Sequence, residues 1–297
     1  MNLATMLSGN HRAKLRELYH SLKKKAVDRF LSYGTAELHS ALTALGVREG
    51  DTVLLHSSFH STSGFRGKPG DVIDVFLDVL GGSGNLLMVS LPYLSSSFEY
   101  LRTLKEFDVR KTFSRMGIIS EGFRRRQGVL RSLHPTHPVL AYGPKASWIV
   151  AGHEDCLYPC GSGTPFEKLA RLNAKVCFFD AEFSTFTFFH YLEDQVRDRL
   201  SFPLYTTAPF EVPVIDAYGK RRIVKTYVFS PDAIRRRRFA ILEAEYRRQG
   251  IIQESRVGNS TLRLVLIDEA VTCSEEMMQR GQFFYELTES QIPTETS

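Results

Sequence analysis

The stretch TFTFFHYLED, residues 185–194, sets a histidine and two carboxylates inside a largely apolar run. On a helix successive residues turn about 100°, so Thr187, His190 and Glu193 share one side within an arc of about 120°. Phe188, Phe189, Tyr191 and Leu192 take the other side. A hydroxyl, an imidazole and a carboxylate on one stripe suit proton transfer. Histidine, with a reference pKa near 6.5, accepts a proton at neutral pH, and a carboxylate one turn on can orient it. Plainer roles exist for each: Thr187 as a helix cap, Glu193 as partner to Arg197, His190 as a packed core histidine.

Five of the nine histidines stand out by context: His56, His134, His137, His153 and His190. His134 and His137 lie upstream of Cys156 and Cys160, but C-x3-C alone is a weak zinc signal, the second ligand pair is missing and HExxH is absent. No metal is expected. His134, just before Pro135, could equally fix a turn. The G-x-S-x-G elbow of hydrolases is missing, as are the P-loop and GxGxxG patterns of nucleotide binders.

The elements that must position these groups alternate between strand and helix. A strand at 51–58 leads through a glycine-rich loop to a helix that Asp71 can cap and that ends at Gly81–Gly82. A strand at 85–90 completes a β-α-β unit, which favours a largely parallel sheet. Strand HPVLAYG, a short helix near 145–150, and a capping box with proline at Thr164–Glu167 follow. Strand 175–180 then feeds the helix of His190, so His190 falls near a strand's carboxyl end, where α/β folds usually hold ligands. The C-terminal third reads as a hairpin around Tyr218–Gly219, a charged helix from Asp232 to Gln249 and a strand, TLRLVLID, before a polar, fraying ESQIPTETS. The fold class is therefore α/β, a central largely parallel or mixed sheet with helices on both faces and a C-terminal α+β extension. Residues 1–33 form a basic amphipathic helix, 34–210 the core and 211–297 an extension of the same domain.

Composition bounds the rest. The 297 residues are 43% hydrophobic and 24% charged, the mix of an ordinary globular protein. No apolar run approaches the roughly 20 residues that span a bilayer, and the expectation is a cytoplasmic protein without signal peptide, its four cysteines reduced. The net charge is +5, with basic runs at Lys23–Lys25, Arg124–Arg126 and Arg235–Arg238. Solvated helix faces account for such runs, and no nucleic-acid-binding spacing accompanies them. The N-terminal helix could pack on the main domain, on a second subunit of a homo-oligomer, or near a membrane surface.

Four blocks, in order, resemble the aminoglycoside 3-N-acetyltransferase family: LLHSSF with GFRGKPGDVID and LGGSGNLLMVSLP; FDVRKTFSRMGIISEGFRRRQGVLRSLHPTHPVLAYG; GSGTPFEKL; and TFFHYLE. The likeness covers about residues 45–200 and is nearest to members encoded with surface-polysaccharide genes. It implies acetyl-CoA-dependent N-acylation of an amino group on a sugar, within an acyltransferase core. The T-x-x-H-x-x-E motif falls on Thr187, His190 and Glu193, the R-S-x-H-P segment on Arg131, Ser132, His134 and Pro135, and the arm holding CoA on His56, Ser57 and Ser58. His190 is then the expected general base with Glu193, Thr187 and His134 as catalytic companions. Ser57, Ser58, Phe59, Arg66, Lys68, Arg131 and Ser132 are expected at CoA. The segment FFDAEFST departs from a usual glycine-containing turn, which bears on the acceptor pocket more than on the chemistry. Basic flanks (Arg110, Lys111, Arg115, Arg124–Arg126 and Arg131) favour a nucleotide-linked amino sugar or a surface-polysaccharide precursor over a polycationic drug, which should prefer an acidic groove. The alternatives are an aminoglycoside acetyltransferase conferring resistance, and a non-catalytic protein that binds CoA or an anionic partner.

Overall fold

Side-chain alternation along the strands divides the hydrophobic core into two layers. The computed structural model describes residues 9–282 and 284–286. Its strands are β1 (Thr52–Ser57), β2 (Asn85–Val89), β3 (Phe107–Asp108), β4 (Leu130–Arg131), β5 (Val139–Tyr142), β6 (Lys175–Phe179), β7 (Phe210–Ile215), β8 (Arg221–Thr226), β9 (Gln253–Val257) and β10 (Ser260–Leu266). Its helices are α1 (Gly9–Phe30), α2 (Thr35–Leu45), α3 (Pro69–Leu80), α4 (Ser97–Thr103), α5 (Ile118–Arg124), α6 (Ala146–Val150), α7 (Pro165–Arg171), α8 (Phe189–Gln195), α9 (Pro231–Arg236), α10 (Phe239–Arg248) and α11 (Ile267–Gln279). Seven strands form one mixed sheet in the order β4-β5-β2-β1-β6-β10-β9. Its centre, β2-β1-β6, is parallel, and both flanks are antiparallel.

Successive side chains on a strand point to opposite faces. Val53, Leu55, Leu86, Met88, Cys177 and Phe179 join α2, α3 and α5 in one core. Leu54, Leu87, Val89, Val176 and Phe178 join α6, α7, α8, α10 and α11 in the other. The near-continuous burial of β1, β2 and β6 is what a sheet covered on both faces requires. His56 belongs to the second face. It lies opposite Phe178 in the register, and their rings stack at 5.2 Å.

Several boundaries differ from the sequence expectation. The α3 helix starts at Pro69, so Asp71 is not its cap but sits in the first turn, where its carboxylate accepts the Lys68 N–H at 2.7 Å. At α7 the expected capping box is not made: the Thr164 hydroxyl donates to the Gly161 carbonyl, and Glu167 accepts the Gly163 N–H. The hairpin around Gly219 forms as β7–β8, but with β3 it builds a separate three-stranded sheet. Strands β9 and β10 are woven into the main sheet instead, and β9, read from Gln253-Glu254-Ser255-Arg256, is too polar and exposed to betray itself by alternation.

The expected helix from Asp232 to Gln249 is two helices, broken at Arg237 and Arg238. No proline or glycine causes the break. The extended backbone at Arg237 (φ −56°, ψ 135°) pairs with the chain beyond α11 instead. Arg238 N–H donates to Phe284 O at 2.7 Å, and Glu286 N–H donates to Arg236 O at 2.8 Å. Tertiary pairing here overrides local helix preference.

Along α1, Val27 is buried while Leu18, Tyr19 and Leu22 are exposed. Residues 1–8 of the N-terminal segment and the tail ESQIPTETS lie outside the described residues. Among the described residues, no helix is long and apolar enough to cross a membrane.

Phe178 ties β6 to the turn that precedes α8, with its ring 5.9 Å from Phe183 and 6.1 Å from Phe186. Phe178→Ala should therefore cost about 3–5 kcal/mol of folding stability, as for other large-to-small core changes. Urea denaturation reads this directly, and a loss below about 1 kcal/mol would show that the turn does not lean on β6.

Candidate active site

The three parallel strands end together, and a cleft of about 570 Å³ opens at their carboxyl ends. Ser57 and Ser58 line it from β1, Val89 and Leu91 from β2, and Asp180, Ala181 and Glu182 from β6. Thr187, His190 and Phe239 close the inner side. The size and position are those of a small-molecule site in an α/β fold.

His190 lies in the first turn of α8, just after the turn that contains Thr187. Its Nδ1 is 2.7 Å from Glu193 Oε2. Since a carboxylate only accepts, Nδ1 carries the proton and Nε2 keeps its lone pair. The Glu193 side chain is fully buried, and that of His190 is 14% exposed. Burial lowers the His190 pKa, and the nearby Arg237 cation lowers it further, against the raising effect of Glu193. His190 is thus a neutral imidazole at neutral pH, not the imidazolium that Glu193 alone would favour. Burial raises the Glu193 pKa, but Arg237 and His190 outweigh it and keep Glu193 ionised.

The partner of Glu193 is not Arg197, which pairs with Asp194 at 3.0 Å. It is Arg237, whose Nε and Nη2 meet the two carboxylate oxygens at 2.6 and 2.9 Å. The Tyr285 hydroxyl donates to the same carboxylate. Sequence reasoning missed both residues. Arg237 sits in a run of four arginines that reads as a solvated face, and Tyr285 is 92 positions from Glu193. Asp194, beside Glu193, accepts from Tyr205 at 2.8 Å and presses on Gly161, where a Cβ would collide with Asp194 Oδ2. Only glycine fits that approach.

Thr187 is buried at the cleft but caps nothing. Its hydroxyl donates to Thr185 O at 3.1 Å, and its N–H points to His56 Nε2 at 3.4 Å. His134, expected beside the chemistry, does not line the cleft. It is fully buried, and its Nδ1 accepts the N–H groups of Thr136 and His137 at 3.3 and 3.1 Å. Its Nε2–H then donates to Thr226 Oγ1 at 3.1 Å. These bonds hold the turn at residues 134–137.

The residues expected at CoA divide. Ser57 and Ser58 line the cleft. Phe59 packs against the α2–α3 core with its ring 6.4 Å from Phe65. Arg66 bonds Ser32, and Lys68 is exposed ahead of α3. Arg131 and Ser132 do not line the cleft. The Arg131 guanidinium donates to the carbonyls of Thr112 and Ser90 at 2.6 and 2.8 Å. Ser132 Oγ accepts the Val139 N–H and meets His153 Nδ1 at 2.8 Å. The His153 Nε2–H in turn donates to Pro159 O at 2.9 Å.

Most of the basic flanks meet carboxylates of the scaffold, while Arg115 is exposed beside the cleft-lining Met116. Arg124 and Arg125 pair with Glu121, Arg126 with Asp74, and Arg110 and Lys111 approach Asp108. Among the described residues, no lysine or arginine lines the cleft; its charged lining is Asp180 and Glu182. Asp180 adopts a left-handed φ of 52°, unusual for a residue with a side chain, in the segment where a glycine-containing turn was expected. Its carboxylate accepts from Ser260 Oγ and the Thr261 N–H, which offsets the local strain. Among the described residues, no cluster of groups has metal-binding geometry.

Residues 54–279 match the family described as aminoglycoside 3-N-acetyltransferase. The aminoglycoside N(3)-acetyltransferase VII of Streptomyces paromomycinus is 29% identical over 172 residues, which is 51% of this chain and 57% of that protein. The match thus spans little more than half of that relative's length. The crystal structure of aminoglycoside acetyltransferase AAC(3)-Xa superposes with a TM-score of 0.74 at 25% identity, over 89% of this chain and 98% of that one. AAC-IIIb, solved in a binary complex with CoASH, shares the fold at a TM-score of 0.70 and 22% identity, over 86% and 99% of the two chains.

Burial lowers the pKa of His56 and His153 to about 3 and holds His134 and His137 well below the usual histidine range. The folded chain keeps all four neutral, whereas the unfolded chain protonates them near pH 6.5. Their contribution is complete above that pH and is lost as pH falls below it, by about 1.4 kcal/mol per pH unit for each histidine. Folding stability measured in urea should drop steeply between pH 6.5 and 5. A flat profile across that window would show that these histidines are protonated in the folded protein.

Proposed function

Because the chain belongs to the aminoglycoside 3-N-acetyltransferase family, we propose that it transfers an acetyl group from acetyl-CoA to an amino group of an aminoglycoside, with His190 as general base. The observation that carries this is His190, held by Glu193, on a cleft whose charged lining among the described residues is Asp180 and Glu182. Family membership and cleft charge together support the aminoglycoside acceptor over the nucleotide-linked or polysaccharide-precursor sugar. Of the cations that favoured the latter, Arg124, Arg125 and Arg126 are paired with carboxylates and Arg131 bonds scaffold carbonyls; Arg110, Lys111 and Arg115 are exposed and do not line the cleft. A polycationic acceptor would find Asp180 and Glu182 at the mouth; Glu182 is exposed and has no side-chain partner among the described residues.

The chemistry follows from the proton inventory. An ammonium has no lone pair, so the acceptor must shed a proton to attack a thioester carbonyl. Neutral His190 takes that proton at Nε2, while Glu193 holds Nδ1–H and stabilises the imidazolium that forms. The new C–N bond forms, the C–S bond breaks, His190 returns its proton to the departing thiolate, and the acylated nitrogen sheds its second proton to solvent to leave the neutral amide. Acetyl-CoA lies against the β1 exit in this scheme, where Ser57 and Ser58 line the cleft. Thr187 contributes by holding the turn into α8.

His190→Ala should lower turnover by roughly 10² to 10⁴ with little change in CoA affinity. Near-normal turnover in the folded variant would remove His190 from the role. The acceptor is tested by thiol release from acetyl-CoA with gentamicin and with a UDP-linked amino sugar. The drug should be the better substrate in kcat/KM; preference for the sugar nucleotide would overturn the acceptor assignment and leave the base assignment standing.

A further inference from the structure

We propose that Arg237 and Tyr285, joined by backbone pairing of the α9–α10 break with residues 284–286, are positioning residues that lock Glu193 as the anion fixing His190. This deepens the acetyltransferase proposal and rests on it.

A fully buried carboxylate without partners would be held neutral by desolvation. Glu193 instead receives two donors on each oxygen. Oε2 accepts from His190 Nδ1–H at 2.7 Å and from Arg237 Nη2 at 2.9 Å. Oε1 accepts from Arg237 Nε at 2.6 Å and from the Tyr285 hydroxyl. Four donors fill the carboxylate's hydrogen-bonding sites and fix its plane. With the plane fixed, Nδ1–H has one acceptor and the Nε2 lone pair one direction.

Neither locking residue lies on α8. The extended backbone at Arg237, bridged to Tyr285, turns the guanidinium inward, and its carbon sits 4.4 Å from the Phe229 ring centre. The Phe229 ring is itself 4.7 Å from that of His190. Phe284 packs its ring 5.4 Å from Phe189 on α8, and Arg238 pairs with Glu286. The chain beyond α11 therefore acts as a strap across the catalytic carboxylate, and the helix break exists to receive it.

Other groups face the pair from each neighbouring element. His137, before β5, meets His190 edge-on at 5.6 Å and hydrogen-bonds Thr136 and Tyr93. Asp194, on α8, is paired with Arg197 and Tyr205. Cys160, between α6 and α7, is a buried thiol whose pKa is raised by burial and by Asp194 and Glu193. None of these supplies a cation to Glu193; Arg237 does. Without the guanidinium, the carboxylate's charge falls on His190 alone, so the His190–Glu193 pair binds its proton at higher pH.

The test reads that proton directly. The His190 ring is titrated by NMR in the wild type, Arg237→Gln, Arg237→Lys and Tyr285→Phe, without acetyl-CoA or acceptor, alongside pH profiles of kcat/KM. Arg237→Gln should raise the titration midpoint by about one pH unit or more, move the acidic limb with it and lower kcat by roughly 10². Arg237→Lys should recover part of the shift, since it restores charge but not the two-pronged contact. Tyr285→Phe, which keeps every ring atom, should shift the midpoint the same way by less, with kcat down about tenfold. If Arg237→Gln does not fold, Tyr285→Phe decides. Folded variants with reduced melting temperature and an unmoved His190 titration would overturn the proposal. The NMR arm stands whatever acceptor the enzyme uses, so failure of the acetyltransferase proposal appears separately, as wild-type protein that releases no thiol.

Discussion

A single buried negative charge organises this molecule. Glu193 has no exposed surface, and its ionised form persists only because four donors converge on it. Leaving such a group unpaired costs several kcal/mol, so its partners are obligatory structure. They come from α8, from the α9–α10 break and from the strap past α11. One carboxylate thereby holds three distant parts of the chain in fixed relation.

The sheet supplies the complementary constraint. Three parallel strands end together, and the cleft opens at their carboxyl ends. The second core packs α8 against this edge through Phe188 and Phe189, both fully buried, with His190 facing the cleft and Glu193 facing Arg237 and Tyr285. His190 is consequently half in a wall of aromatic rings and half in the opening, an environment that favours the neutral base.

Electrostatics separates framework from site more sharply than residue type does. Arg131, Arg124 and Arg126 are basic and lie beside the blocks that resemble the family, yet each is spent on carbonyls or carboxylates of the scaffold. Likewise, His134 and His153 stack at 4.4 Å and exchange hydrogen bonds with backbone and hydroxyls, not with anything in the cleft.

Whatever depends on near neighbours along the chain was legible before folding. Apolar runs marked β1, β2 and β6, the β-α-β order implied their parallel pairing, and three-residue spacing put His190 and Glu193 within one hydrogen bond. Motif likeness carried the family. Folding alone selected which cation met Glu193, because Arg197 and Arg237 are equivalent by composition and only the folded chain brings the latter within 2.6 Å. It also produced the helix break at Arg237, which no proline or glycine announces, and the pairing of a polar edge strand such as β9, whose hydrogen bonds are to a partner and not written in its own side chains. Finally, it set which charges line the cleft: net charge and basic runs are sums over the chain, whereas a ligand there meets Asp180 and Glu182.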